Sequence, residues 1–182
     1  MIKRNLTETI NRAIKQFPVL TVTGPRQSGK TTLLKSQFPE YGYVNLEEPD
    51  IREWAENDPR NFLNEYKKNV IFDEIQRVPS LFSYLQSKVD EFNIPGQFIL
   101  SGSQSFLLNE KISQSLAGRA AVLHLLPLSF SELEKSGYGN KRINNYLFQG
   151  FFPRIYDQQI DPVLFYNSYI STYVERDVRL IK

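Results

Sequence analysis

Ile10, Ala13, Ile14 and Phe17 are spaced three and four apart, as on one face of a helix, behind Thr7 as N-cap and ahead of Pro18, which cannot continue it. The pattern then shortens. Val19 to Thr23 is a β-rich run that ends at Gly24-Pro25, and from Thr31 onward Leu33 and Leu34 begin a second helical pattern. Tyr43 to Leu46 reads as a second short strand, and Asp58-Pro59 as a capped helix start for a helix reaching Tyr66. Val70, Ile71 and Phe72 form a third strand with Asp73-Glu74 at its carboxyl end, followed by a helical face of Leu81, Leu85, Val89 and Phe92. Phe98 to Leu100 is a fourth strand. The polar stretch Ser101-Gly102-Ser103-Gln104 separates it from a helix carrying Leu108, Ile112 and Leu116, which Gly118 stops, and Ala120 to Leu126 is a fifth strand. Short apolar strands alternating with helices imply a parallel sheet buried on both faces, with ligands bound beyond the carboxyl ends of its strands.

After Pro127 the texture changes. Ser129 and Glu132 have capping-box spacing, Gly137 to Asn145 reads as a loop, and Asp161-Pro162 starts a helix in an aromatic segment with Tyr166, Tyr169, Tyr173, Val174 and Val178. The expected organisation is a core over residues 1–128, including the N-terminal helix, and a helical extension over 129–182, the start of a missing C-terminal region. The 182 residues carry 22 Lys and Arg against 20 Asp and Glu, a net charge of +2, with no basic or acidic tail. A simple polybasic binder of nucleic acid or membrane is excluded. There is no cysteine and a single histidine, His124, which removes disulfides, thiolate chemistry and a His-based metal centre, and places the chain by default in a reducing, cytoplasmic setting. No apolar run approaches the ~18 residues of a membrane span. His124 reads as a satisfied core or edge residue, and Trp54 and the tyrosine-rich tail as packing rather than nucleic-acid stacking surfaces.

The chemistry concentrates in Gly24-Pro25-Arg26-Gln27-Ser28-Gly29-Lys30-Thr31, followed by Thr32, which matches the phosphate-binding pattern G-x-x-x-x-G-K-[ST]. The glycines permit close approach, so that backbone N–H groups surround phosphate oxygens at a helix N-terminus. Lys30 would neutralise the β- and γ-phosphates, and the Thr31 hydroxyl is offered to Mg²⁺. Arg26 either contacts nucleotide or a partner, or points to solvent. Asp73, at the end of an apolar strand, would hold the metal shell, and Glu74 would polarise a water for attack on the γ-phosphate. Ser101, Ser103 and Gln104 are placed to touch the γ-phosphate or that water. Arg119, after Gly118, is either a transition-state arginine reaching a phosphate of its own or a neighbouring subunit, or a surface salt bridge.

Beyond these residues, the stretches TVTGPRQSGKTTLL, YVNLEEPD, VIFDEIQRVPSLF, FILSGSQSF, SLAGRAAVLHLLPLSFSEL, QGFFPRIYD and YVERDVRLI resemble bacterial and archaeal predicted ATPases of the AAA superfamily, in which a nucleotide domain precedes a C-terminal domain of unknown function. The resemblance runs along nearly the whole chain. It implies a P-loop NTPase three-layer sandwich around a mostly parallel five-stranded sheet, and Mg-ATP binding with Lys30 and Thr31 in the Walker A role and Asp73 and Glu74 in the Walker B role. It also implies a sensor role for Ser103-Gln104 and an arginine-finger role for Arg119. No N-K-x-D element is present, which favours ATP over GTP. The resulting expectation is an ATPase that couples binding and hydrolysis to a conformational or assembly change, with a protein partner or self-association. The alternatives are a nucleotide-gated interaction module with negligible hydrolysis, and a P-loop phosphotransferase. Nothing in the chain supports a nucleic-acid partner through a clustered basic helix.

Overall fold

The computed structural model describes residues 2–103, 112, 114–139 and 142–174. Five strands form one sheet: β1 (Val19–Thr23), β2 (Gly42–Asn45), β3 (Val70–Asp73), β4 (Phe98–Gly102) and β5 (Ala120–His124). Every pairing is parallel and the spatial order is β2-β3-β4-β1-β5. The connections carry α2 (Lys30–Gln37), α3 (Pro49–Asn57), α4 (Pro59–Glu65) and α5 (Leu81–Phe92), and α1 (Thr7–Ala13) precedes the sheet. β1, β3 and β4 are buried along their whole length because both of their faces are covered, whereas the edge strands β2 and β5 are partly exposed.

Strand parity sorts the core into two layers. Val19, Val70, Phe72, Phe98 and Leu100 point to the face covered by α3, α4 and α5, where Ala55, Phe62, Leu63, Leu81, Leu85 and Val89 meet them. Leu20, Val22, Ile71 and Ile99 point to the opposite face, against Ile10 and Ala13 of α1 and Leu33 and Leu34 of α2. The same alternation decides where the polar strand ends go. Asp73 and Ser101 share parity with Ile71 and Ile99, so both emerge on the α2 face, and Tyr43, paired with Ile71, is on that face as well.

The chain divides into two compact units, one of residues 6–25 and 30–125, the other of residues 1–5, 26–29 and 126–182. The second contains α6 (Phe130–Leu133), α7 (Ile143–Gln149), α8 (Pro153–Asp157) and α9 (Pro162–Tyr169). Its own core is Ile2, Leu128, Leu133, Tyr146, Ile155, Tyr156 and Phe165. Ser129 and Glu132 form a complete capping box on α6, and Asp161 caps α9 by accepting from the Leu164 N–H at 2.9 Å. Glu132 does more than cap. Its carboxylate also accepts the Asn5 N–H at 2.6 Å and pairs with the buried Arg4 guanidinium at 3.3 Å.

Several expected boundaries move. Thr7 is the first residue of its helix rather than the cap, and Leu6 holds the cap position with no side-chain bond. The strand expected from Ala120 to Leu126 stops at His124, and a helix fills Pro49–Asn57, where none was expected. The loop expected from Gly137 to Asn145 is shortened by a π-helical turn over Glu134–Tyr138 and by α7. Of the helix expected around Leu108, Ile112 and Leu116, Leu108 lies outside the described residues, whereas Ile112 and Leu116 are buried in the first core layer. His124 is exposed on the edge strand with its Nδ1 2.8 Å from the Thr23 hydroxyl, and Trp54, itself partly exposed, meets the Phe62 ring edge-on.

Phe62 is fully buried, with ring centroids of Trp54, Tyr66 and Phe72 at 5.1, 5.0 and 5.7 Å. Phe62→Ala should therefore cost about 3–5 kcal/mol in urea unfolding. Burial raises the Glu132 carboxyl, but the Ser129 and Asn5 amides and the Arg4 charge outweigh it, leaving it below its ordinary value. A depressed folded value means this carboxylate's stabilisation is present above the unfolded range near pH ~4.3 and is lost as pH falls through the folded value. Glu132→Gln should thus be destabilised by about 3 kcal/mol at pH 7, and its deficit should shrink on acidification in thermal melts recorded from pH 7 to pH 3.

Candidate functional site

The carboxyl ends of β1, β3 and β4 converge on one polar cluster, and the loop after β1 sets its geometry. Gly24 has φ +148°, and a Cβ there would lie 2.1 Å from the backbone oxygen of Leu125, so only glycine fits. The loop leads into α2, whose first residue, Lys30, is buried and donates its ammonium hydrogens to the Gly24 and Pro25 carbonyls, both at 2.9 Å. A phosphate oxygen would compete for this cation. Thr31 follows on the first turn and Thr32 is exposed beside it. Of the remaining loop residues, Gln27 (φ +61°) and Gly29 (φ +93°) adopt left-handed backbone, Ser28 is fully buried, and Pro25 is half-buried.

Asp73 is the centre of the cluster. Its Oδ2 accepts from the Thr31 hydroxyl and from the Tyr43 phenol, each at 2.7 Å. Its Oδ1 accepts from the Ser101 hydroxyl and, at 3.2 Å, from the Glu74 N–H. Burial first, then the bond to Asp73 and its charge, push the Tyr43 phenol far above its ordinary value, so it stays a proton donor. Glu74 has left-handed backbone (φ +55°), which turns its carboxylate off the line of β3. Its Oε2 accepts from Ser103 at 3.0 Å and from the Gln76 side-chain amide.

Lys30, Thr31, Asp73, Glu74 and Ser103 thus fall in one neighbourhood, as their spacing in the sequence implies. Gln104 lies outside the described residues. Arg119 is not brought there. It immediately precedes β5, its carbonyl accepts from the Val19 N–H, and its guanidinium pairs with Asp90 at 2.9 Å. Val19 is the amino end of β1, roughly 15 Å along the strand from the phosphate-loop end, so the surface ion pair is what the structure shows for this residue.

In the second unit, the Arg26 carbonyl accepts from the Tyr169 hydroxyl at 3.3 Å, and its guanidinium lies 5.7 Å from the Tyr173 ring centroid. The Ser28 carbonyl accepts from Arg4 at 2.7 Å. Arg4 also reaches the Leu126 and Pro127 carbonyls at 2.5 and 3.2 Å, a set of contacts with no sequence signature, since a single arginine before a helix reads as surface. Tyr43 was also missed as a site residue. The parity of β2 against β3 is the signal that would have found it.

Thr31 and Asp73 provide a hydroxyl and a carboxylate, both hard oxygen donors, and so fit a magnesium ion that takes its other ligands from phosphate and water. Among the described residues, no helix is long and apolar enough to cross a membrane.

Residues 16–134 match the AAA domain family. Two curated proteins of Mycobacterium tuberculosis and Mycobacterium bovis, both uncharacterised, are 32% identical over 179 residues, 97% of this chain, and the chain spans 40% of their length. Solved structures share the fold. The Walker-type ATPase PABY2304 of Pyrococcus abyssi superposes with a TM-score of 0.58 at 16% identity, covering 94% of this chain and 68% of its own. AMPPCP-bound DnaA from Aquifex aeolicus gives 0.55 at 17% identity, covering 93% of this chain and 64% of its own. With its phosphate loop on β1, its acidic pair on β3 and all five strands parallel, the chain belongs to the AAA domain family and has the fold of AAA-superfamily P-loop ATPases.

Proposed function

We propose that the chain is the Mg-ATP-binding and ATP-hydrolysing module of a longer protein, coupling nucleotide turnover to a conformational or assembly change. The observation that carries this reading is the 2.7 Å bond between Thr31 and Asp73, which brings the hydroxyl after the phosphate loop and the strand-end carboxylate to one point. When bound there, magnesium would neutralise β- and γ-phosphate charge. Lys30 would leave the Gly24 and Pro25 carbonyls for phosphate oxygens, and the loop amides, with Arg26, Gln27, Ser28 and Gly29, would complete the cradle. Glu74 would orient the attacking water. Ser103, bonded to the same carboxylate, is the residue through which a γ-phosphate contact would reach it. ATP is the proposed nucleotide, the cytoplasm the proposed setting, and the proposed partner a protein or a second copy of the chain. An arginine finger, if Arg119 supplies one, would act on a neighbouring subunit after release from Asp90.

A second reading is a nucleotide-gated switch with negligible turnover. It is favoured by the two donors, Gln76 and Ser103, that already occupy Glu74 Oε2. Titration with ATP and GTP in Mg²⁺, followed by phosphate release, separates the two. Lys30→Ala should weaken ATP binding by at least about a hundredfold, because a desolvated phosphate charge loses its partner. Glu74→Gln should hold ATP affinity within about threefold while lowering phosphate release by about a hundredfold or more. Tight ATP binding with no release in the unmodified chain would select the switch, and absence of binding would overturn both readings.

A further inference from the structure

Asp73 is hydrogen-bonded on both oxygens. An ionised carboxylate offers about four lone-pair directions. Here Ser101 and the Glu74 N–H take those on Oδ1, and Thr31 and Tyr43 take those on Oδ2. A cation, or a water it holds, would be taken in beside these four donors, so the donors decide which way the carboxylate oxygens face. Thr31 need not leave, since its oxygen can ligate a cation through a lone pair while its O–H still donates to Oδ2. The Tyr43 phenol is the donor to Oδ2 that has no part in holding the cation.

The phenol is positioned for that role by contacts independent of the carboxylate. Tyr43 is in β2, its Cα pairs with Ile71, and its ring reaches diagonally along the sheet to the residue two further on in β3. The Lys35 ammonium lies 3.3 Å from the ring centroid and holds it from α2, one turn beyond Thr31. The hydroxyl is therefore held where it is while Thr31 takes on the cation, and Oδ2 stays turned toward α2. Ser101, from β4 on the other side of β3, fixes the opposite oxygen, so the carboxylate plane is clamped from both neighbouring strands. A carboxylate free to rotate at that moment would lose part of its affinity for the metal shell.

Resting on the Mg-ATP reading above, we propose that Tyr43 is a positioning residue for the metal-bearing carboxylate, holding Asp73 Oδ2 in place while Thr31 ligates the cation. This assigns a role in cation-dependent nucleotide binding to a phenol that lies outside both the phosphate loop and the acidic strand. Removing the hydroxyl with Tyr43→Phe keeps the ring, its packing and its contact with Lys35. The consequence should appear only when a cation is present.

The test is ATP binding to the full chain by calorimetry, in a Mg²⁺ titration at fixed ATP and again in excess EDTA. Tyr43→Phe should raise the half-saturating Mg²⁺ concentration about tenfold while leaving the EDTA affinity unchanged. Lys35→Met, which frees the ring but keeps the hydroxyl, should move the Mg²⁺ midpoint in the same direction by a smaller factor, and it serves as the second probe if Tyr43→Phe does not fold. Equal weakening with and without Mg²⁺ would overturn the proposal, because a merely structural tyrosine has that signature. An unchanged Mg²⁺ midpoint would overturn it too. If the unmodified chain binds ATP without any Mg²⁺ dependence, or not at all, the Mg-ATP reading itself falls, an outcome distinct from failure at Tyr43 alone.

Discussion

A single buried carboxylate ties the nucleotide end of this sheet together. Asp73 receives hydrogen bonds from the first turn of α2, from β2, from β4 and from the backbone of the next residue. Each donor belongs to a different element, so the group that would organise a metal also fixes how α2 and three strand ends meet. A buried carboxylate without such partners would carry a penalty of several kcal/mol, roughly the margin by which a domain of this size is stable. The arrangement holds only because strand alternation brings the hydroxyls to one face. Shifting β2 by one residue would turn Tyr43 to the other side of the sheet and leave Asp73 short of a donor.

The architecture was legible in the sequence because it rests on strong local signals. Short apolar runs such as Val70–Phe72 and Phe98–Leu100, the glycines of the loop after β1, and capping-box spacing at Ser129 and Glu132 each have one dominant physical reading. The phosphate loop and the acidic pair were legible for the same reason, since their spacing is local and their context of strand before and helix after is specific. The helix over Pro49–Asn57 was not. Its only apolar members are Pro49, Ile51, Trp54 and Ala55, and tertiary contacts of Ala55 with the first core layer supply what propensity lacks.

Contacts across long sequence separations were the other blind spot. Arg4 bonds to residues more than 100 positions away, and Tyr43 to one 30 positions away. Such pairings depend on register and on which face of a strand a residue occupies, quantities fixed only once the sheet is assembled. Arg119 shows the converse. Its place between a glycine and a strand looks like that of a residue aimed at a neighbouring phosphate, yet parallel strand order puts it at the amino end of the sheet, where Asp90 neutralises it.

The two carboxylates of the acidic pair have opposite conformational fates although they are adjacent in sequence. Asp73 ends a strand in regular backbone and is fixed from both neighbouring strands, whereas Glu74 enters left-handed backbone and, among the described residues, has donors on one oxygen only. The carboxylate proposed for a metal shell is thus bonded on both oxygens from several elements, and the one proposed for directing water is bonded by Gln76 and Ser103 on Oε2. Ser103 immediately follows β4, the strand that carries Ser101, so one strand end bonds to both carboxylates. A movement of β4 at its carboxyl end would act on both carboxylates together. That shared dependence couples the two carboxylates through one strand end.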